Sequence, residues 1–153
     1  MQDSLEQLLN RVARRGSWFG GGSAAALTAA VAAALLEKLV VAPKTAQALR
    51  RSRRACLKLI RQDAEAFANV IGATRSQNRR RFVQALSAAT AVQQEVLRHS
   101  RGIQQACRVA RRSINRKFQS DLHCAMALAS ASGASARVLI RTNLAWLRQH
   151  TIR

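Results

Sequence analysis

The sequence has no tyrosine, a single proline at Pro43, and few aromatics of any kind: four phenylalanines and two tryptophans in 153 residues. A core so poor in rings has to be filled by alanine and aliphatic side chains, which favours closely packed helices. No stretch alternates apolar and polar residues, and this excludes a sheet with one wet face. Paired cysteine spacings are also missing. Cys56, Cys107 and Cys124 stand alone, so neither a disulfide framework nor a zinc site is indicated; the three read as reduced, buried thiols in a cytoplasmic protein. His99, His123 and His150 lack ligand-like spacing, and no metal is expected. The Ala-rich run from Ala24 to Ala42 is interrupted by Glu37 and Lys38 and is short of leucine, so a buried helix is favoured over a membrane span. The N-terminus has no signal-like apolar core.

Acidic residues are scarce as well: seven, against 26 basic ones, for a formal net charge of +19. Such an excess attracts polyanions. Arginines cluster at Arg50, Arg51, Arg53, Arg54 and Arg61, at Arg79 to Arg81, and at Arg108, Arg111 and Arg112. Solvated helix faces and a functional basic patch account for them equally well. Nucleic acid is therefore a partner that the charge allows, although no aromatic stacking platform accompanies it.

What is abundant is helix-forming: Ala, Leu, Arg and Gln. The spacing predicts an all-α antiparallel multi-helix bundle in one domain over 1–153. The first helix is expected from about Ser4 to Arg14 and the second from Ser23, as N-cap, to about Val41, ended by Pro43. The third runs from about Lys44 to Ile71 with Gly72 as C-cap. The fourth runs from near Ser76 to about Arg112, kinked or split at Gly102. A polar loop covers Ser113 to Gln119. The last helix runs from an N-cap at Ser120 to about His150, weakened at Gly133. The alanines of the second helix allow close packing on several sides and predict a homodimer.

Three segments carry candidate chemistry. Gly20-Gly21-Gly22-Ser23 leads bare backbone into a helix N-terminus, a geometry suited to a polar or anionic ligand, and the glycines allow positive φ and close approach to another surface. Asp63 falls on the apolar stripe of Leu49, Cys56, Ile60, Phe67 and Val70, where an idle carboxylate is costly. Desolvation would raise its pKa towards general acid–base use, while an arginine partner would lower it. On the residues alone a structural ion pair and a catalytic role stand level. Asp121, in Ser120-Asp121-Leu122, sits in the first turn of the last helix, where complementing the macrodipole is sufficient reason for it.

In their order, Gly20 to Leu27, Asp63-Ala64-Glu65-Ala66-Phe67, Ala89-Thr90-Ala91-Val92 and Ser120-Asp121-Leu122 resemble the folate cyclodeaminase and cyclohydrolase family, the C-terminal half of formiminotransferase-cyclodeaminase. The resemblance spans roughly Leu5 to Leu144. It implies a dimeric helical enzyme acting on tetrahydrofolate one-carbon derivatives, as a cyclodeaminase that expels ammonia or as a cyclohydrolase that uses water. The folate is the substrate and no separate cofactor is implied. Asp63 matches the family's functional aspartate, Gly20, Gly21, Gly22 and Ser23 its substrate-contacting turn, and Asp121 a characteristic aspartate. Glutamate tails on the folate would suit an arginine-rich surface. The chain departs from the pattern at Ser17-Trp18-Phe19, where the family has a proline, and at Arg137 and Arg141, where it has asparagines, with Asn143 slightly displaced. A non-catalytic polyanion-binding bundle and a folate-binding relative without turnover are the competing readings.

Overall fold

The structure, a computed structural model, describes residues 4–151. Five α-helices follow one another: α1 Leu5–Ala13, α2 Gly21–Glu37, α3 Pro43–Arg75, α4 Arg79–Ala110 and α5 Gln119–Thr151, with a short 3-10 turn at Arg116–Phe118 before α5. No strand occurs among the described residues. Helix α1 begins with a capping box: the Gln7 amide donates to Ser4 Oγ, and the Ser4 amide donates to Gln7 Oε1.

Helices α2 to α5 form an up-down-up-down bundle, and the long-range contacts fix its directions. Ser23 and Glu37 of α2 meet Asp63 and Arg50 of α3, so these helices are antiparallel. Gln93 meets Asp63 and His99 meets Ser52, which sets α4 antiparallel to α3. Ser132 reaches Ala25, and Asp121 reaches Lys38, so α5 runs against α2. Alanine makes the centre possible: Ala26, Ala29, Ala32, Ala33 and Leu36 of α2 are fully buried, as are Ala125, Ala129 and Ala136 of α5. Into this apolar packing a small polar ladder is set. Ser132 Oγ donates to Ala25 O at 2.7 Å and lies 2.8 Å from Ser100 Oγ, joining α2, α5 and α4.

Several boundaries differ from the sequence expectation, each for a local reason. Ser23 is not the N-cap of α2: Gly20 is, and the helix starts two residues earlier, freeing the Ser23 hydroxyl for α3. The same helix ends at Glu37 rather than near Val41. Its C-terminal carboxylate opposes the helix dipole and is neutralised by Arg50 and Arg53, each at 2.9 Å. These two arginines hold Glu37 below the usual carboxylate range. Pro43 does not merely stop the preceding segment; it is the first residue of α3, where its missing amide hydrogen costs nothing. Gly72 lies inside α3, Gly102 inside an unbroken α4, and Gly133 inside an unbroken α5, which itself begins at Gln119 rather than being capped by Ser120. Cys56 and Cys107 are buried but Cys124 is exposed. Phe67, expected in the core, is nearly half exposed.

The turn between α3 and α4 gives a stability prediction. Gln77 there adopts φ 50°, a left-handed conformation unfavourable for a residue with a Cβ. Gln77→Gly is expected to stabilise the protein by about 1 kcal/mol, read from the denaturant midpoint; a loss of stability would show that the Gln77 side chain contributes more than its backbone costs.

Candidate active site

Helix α2 has 17 residues, while α3, α4 and α5 have 33, 32 and 33. At 1.5 Å per residue the three longer helices run roughly 50 Å and the short one about half that. One end of the bundle is therefore three-stranded, and the N-terminus of α2 opens into the space left over. A cavity of about 270 Å³ lies there. Gly20, Gly21 and Gly22 form one wall, Asp63, Phe67 and Val70 of α3 a second, Leu86, Ala89 and Gln93 of α4 a third, and Leu139, Thr142, Asn143 and Trp146 of α5 the fourth; Ser17 and Trp18 complete the lining.

The carboxylate of Asp63 is gripped from two helices. Ser23 Oγ donates to Oδ2 at 2.8 Å, with Ile60 O beside it at 3.2 Å, and Gln93 Nε2 donates to Oδ1 at 2.6 Å. This closeness depends on Gly22. A Cβ at that position would strike Asp63 Oδ1 and Gln93 Nε2, whereas a Cβ at Gly21 would make only an ordinary 3.9 Å contact with Leu139. The glycine requirement is therefore one of space. The expected positive φ is absent from the triplet, and among the glycines it occurs only at Gly16.

Burial pushes the Asp63 pKa above its ordinary value, and the hydrogen bonds from Ser23 and Gln93 pull it partly back. Desolvation is the larger effect. The group is thus a carboxyl whose proton affinity is raised but whose charged form is still solvated by fixed donors, the combination that general acid–base chemistry uses. Ser23→Ala removes a donor to the charged form and is expected to move the Asp63 pKa further upward. In a pH profile the limb governed by Asp63 shifts to higher pH; a downward shift or none would show that the Ser23 hydroxyl does not tune the carboxylate.

Of the residues singled out in the sequence, Gly20, Gly21, Gly22, Ser23 and Asp63 come together here. Asp121 does not. Its Oδ2 lies 2.8 Å from Lys38 Nζ, close to the opposite end of α2, where it joins α5 to α2. Glu65, two residues from Asp63, is exposed and borders a different hollow. Arg137 and Arg141 are exposed and do not line the cavity, whereas Asn143 does. Sequence reasoning missed Gln93 altogether, together with Leu139, Thr142 and Trp146 of the α5 wall and the place of Trp18 in the lining. Both tryptophans of the chain, Trp18 and Trp146, border this one cavity and are each about half exposed.

A second, larger hollow of about 870 Å³ shares Ser17 and Trp18 with the first and is bordered by Arg11, Arg14 and Arg61. Among the described residues no three His, Cys, Asp or Glu side chains gather as a metal site, and no helix is long and apolar enough to cross a membrane.

The fold and the site together define an all-helical protein over the described residues, with one partly buried carboxylate held through both oxygens beside a helix N-terminus and bordering a small cavity. A family model described as formiminotransferase-cyclodeaminase matches residues 4–153, and the chain belongs to that family. Among solved structures it is similar to the crystal structure of formiminotetrahydrofolate cyclodeaminase from Thermotoga maritima, with a TM-score of 0.88 and 23% identity over 97% of this chain and 84% of that one. At that identity the likeness establishes the shared fold. No curated protein matches the chain.

Proposed function

We propose that this chain is an enzyme of folate one-carbon chemistry, of the cyclodeaminase type, with Asp63 as its proton-transfer group. The observation that carries the reading is the carboxyl itself: partly buried, raised in pKa, held through both oxygens and bordering a cavity. The cyclodeaminase reaction joins N10 of tetrahydrofolate to the formimino carbon on N5 and releases ammonia. N10 must lose a proton and the departing nitrogen must gain one. A single carboxyl that accepts the first and returns the second performs both transfers and ends unchanged. The related cyclohydrolase reaction asks the same of Asp63 with water in place of the nitrogen. The arginine-bordered hollow beyond Trp18 supports the reading, because glutamate tails of the folate leaving the cavity past Ser17 and Trp18 would meet cations there.

The deciding experiment supplies 5-formiminotetrahydrofolate and follows the methenyl product by absorbance and ammonia by a coupled assay. Both products support the cyclodeaminase. Methenyl–formyl interconversion without ammonia release supports the cyclohydrolase. Saturable folate binding without turnover makes the chain a binding relative, and binding of nucleic acid alone, with steep salt dependence, overturns the reading. Binding is also expected to alter tryptophan emission, since Trp18 and Trp146 both border the cavity; unchanged emission on saturation would place the folate elsewhere.

We further propose a homodimer. Helices α2 and α5 lie side by side and leave Val31, Ala34, Ala131, Ala134 and Val138 exposed, an apolar surface that a second copy would cover. Light scattering at micromolar concentration is expected to give twice the monomer mass; a monomer would overturn this part. The three unpaired thiols fit a reducing compartment, and we place the protein in the cytoplasm.

A further inference from the structure

A third hollow, of about 560 Å³, lies in the groove between α3 and α4 and shares no lining residue with the Asp63 cavity. His99 of α4 borders it and is buried. Both nitrogens of its ring are engaged: Nε2 lies 3.1 Å from Arg98 Nη2, and Nδ1 lies 3.2 Å from Ser52 Oγ of α3. A guanidinium only donates, so Nε2 must accept. Burial and the charge of Arg98 both lower the His99 pKa, which leaves the ring neutral with its hydrogen on Nδ1. That hydrogen is donated to Ser52 Oγ. The Ser52 oxygen is thus an acceptor towards His99, and its own hydrogen remains to be given elsewhere. In a helix such a hydrogen commonly turns back to the carbonyl one turn earlier, as it does at Thr28, Thr74, Thr90 and Ser100. Ser52 makes no such bond among the described residues; its hydrogen bond is the one with His99. Arg98, His99 and Ser52 therefore form a line of donors that all run the same way and end in a hydroxyl at the groove.

The charges of the groove are not balanced. Arg51 and Lys58 stand four residues before and three residues after Ala55, so all three share one face of α3. Both cations border the hollow, both are exposed, and neither has an acidic partner among the described residues. Ala55 contributes only a methyl group between them, which gives the two long side chains room to converge. Glu95 is the acid of the lining, and Arg98 holds both its oxygens, with Nη2 2.6 Å from Oε2 and Nε 3.2 Å from Oε1. Once that pair is set against itself, Arg51 and Lys58 supply the net charge of the groove.

We propose that the α3–α4 groove is a binding site for the phosphate group of a small ligand, held by Arg51, Lys58 and the Ser52 hydroxyl. A phosphate monoester carries a charge of about −1.5 to −2 at neutral pH and three strong acceptor oxygens. The groove offers a matching pair of cations and three donors of different kinds: a guanidinium fork, an ammonium and a hydroxyl. A carboxylate brings half the charge and two oxygens, and leaves one of the three donors unused. The hollow is larger than a phosphate group needs and lies within the size range of small-molecule sites, so the group is carried on an organic body that extends along Leu59 and Gln62. In the order of the bundle, α3 and α4 form the side opposite α2 and α5, and the dimer proposed above leaves the groove open. The site uses neither Asp63 nor folate, and it stands whether or not the folate reading does.

The test titrates the full chain with adenosine 5′-monophosphate, with adenosine and with inorganic phosphate, by calorimetry at fixed ionic strength. The monophosphate is expected to bind saturably at one site per chain, and adenosine not to bind. Ser52→Ala, Arg51→Gln and Lys58→Gln are each expected to weaken binding by about tenfold, the scale of one hydrogen bond to a charged group. Arg51 and Lys58 are exposed, so their variants do not put the fold at risk. Arg112→Gln removes the same charge from an exposed position outside the groove and should leave binding unchanged. Inorganic phosphate bound as tightly as the monophosphate, with the same losses in the three variants, would assign the site to free phosphate; weaker binding of phosphate assigns it to an organic phosphate. The proposal is overturned if neither compound binds saturably. It is equally overturned if Arg112→Gln weakens binding as much as the groove variants do, since the overall charge of the chain would then be the cause. Binding of an RNA oligonucleotide that the three groove variants leave intact, with no binding of the monophosphate, would overturn it in favour of a diffuse polyanion surface.

Discussion

Asp63→Asn is expected to lower turnover by roughly a hundredfold or more, the usual scale for losing a general acid or base, with the fold intact. Asparagine keeps the size of the side chain and its ability to meet Ser23 and Gln93, but it has no titrating proton. Stability gives an independent check. The Asp63 pKa is raised in the folded protein, so the folded state binds this proton more tightly than the unfolded chain does. The stability linked to that proton is fully present below the unfolded pKa and is lost as pH rises through the folded one. At neutral pH the ionised side chain is thus a net cost, and Asp63→Asn should melt no lower than the wild type. Glu65→Gln, on the exposed side of the same helix, serves as the control and should leave both turnover and melting unchanged. A variant as active as the wild type would remove Asp63 from the chemistry; a variant that loses activity together with its fold would make Asp63 a structural residue.

Gly22→Ala is expected to have an effect of comparable size, from a single methyl group. The added carbon would occupy space held by Asp63 Oδ1 and the Gln93 amide, which are hydrogen-bonded to each other and enclosed between helices. The carboxylate would have to leave the first turn of α2, losing the donors that steady its charged form, and near-attack geometry tolerates little displacement; a loss of about a hundredfold follows from a misplacement of 1 Å. At Gly21 the same substitution meets only Leu139, at ordinary contact distance, and replaces glycine by a better helix former. Gly21→Ala should therefore keep its activity. Paired measurements of turnover and thermal melting separate the two positions. Equal tolerance at both would mean that Asp63 is not confined as described, and equal unfolding at both would mean that the glycines serve packing alone.

These two residues also show how far the sequence could be read. Asp63 was legible because a carboxylate on an apolar stripe breaks the helical pattern. The same rule finds Gln93, which lies in phase with Leu86, Thr90 and Val96 on the buried face of α4. It escaped notice because glutamine is a good helix former and carries no charge, so its intrusion looks like filler. Of the two things the glycines allow, positive φ and close approach to another surface, only the second is used at Gly22, and the residues it approaches are supplied by partner helices that only the fold reveals. Ser23 was misjudged: the cap rule fits its position, yet its hydroxyl is taken by a residue 40 positions away. The helical class and the number of helices followed from periodicity. Their ends did not: Glu37 is settled by Arg50 and Arg53 of α3, which pattern reading cannot see, and Pro43 was read as a stop where it is the first residue of the next helix. Nor could the cavity be foreseen, since it results from the unequal lengths of α2 and its three companions.

The serine ladder through the core has a mechanical consequence. Helices faced with alanine are nearly smooth cylinders. Sliding one past another by part of a turn exposes little new surface and opens few voids, so apolar packing alone sets their depth only weakly. Ser132, bonded to Ala25 O and abutting Ser100, acts as a detent that resists such slippage, because moving off it strands buried hydroxyls. The Asp63 carboxylate sits on α3 and is steadied by α2 and α4, while the opposite wall is carried on α5. What fixes the distance between those walls is thus a pair of hydroxyl groups lodged deep in the bundle, outside the cavity lining.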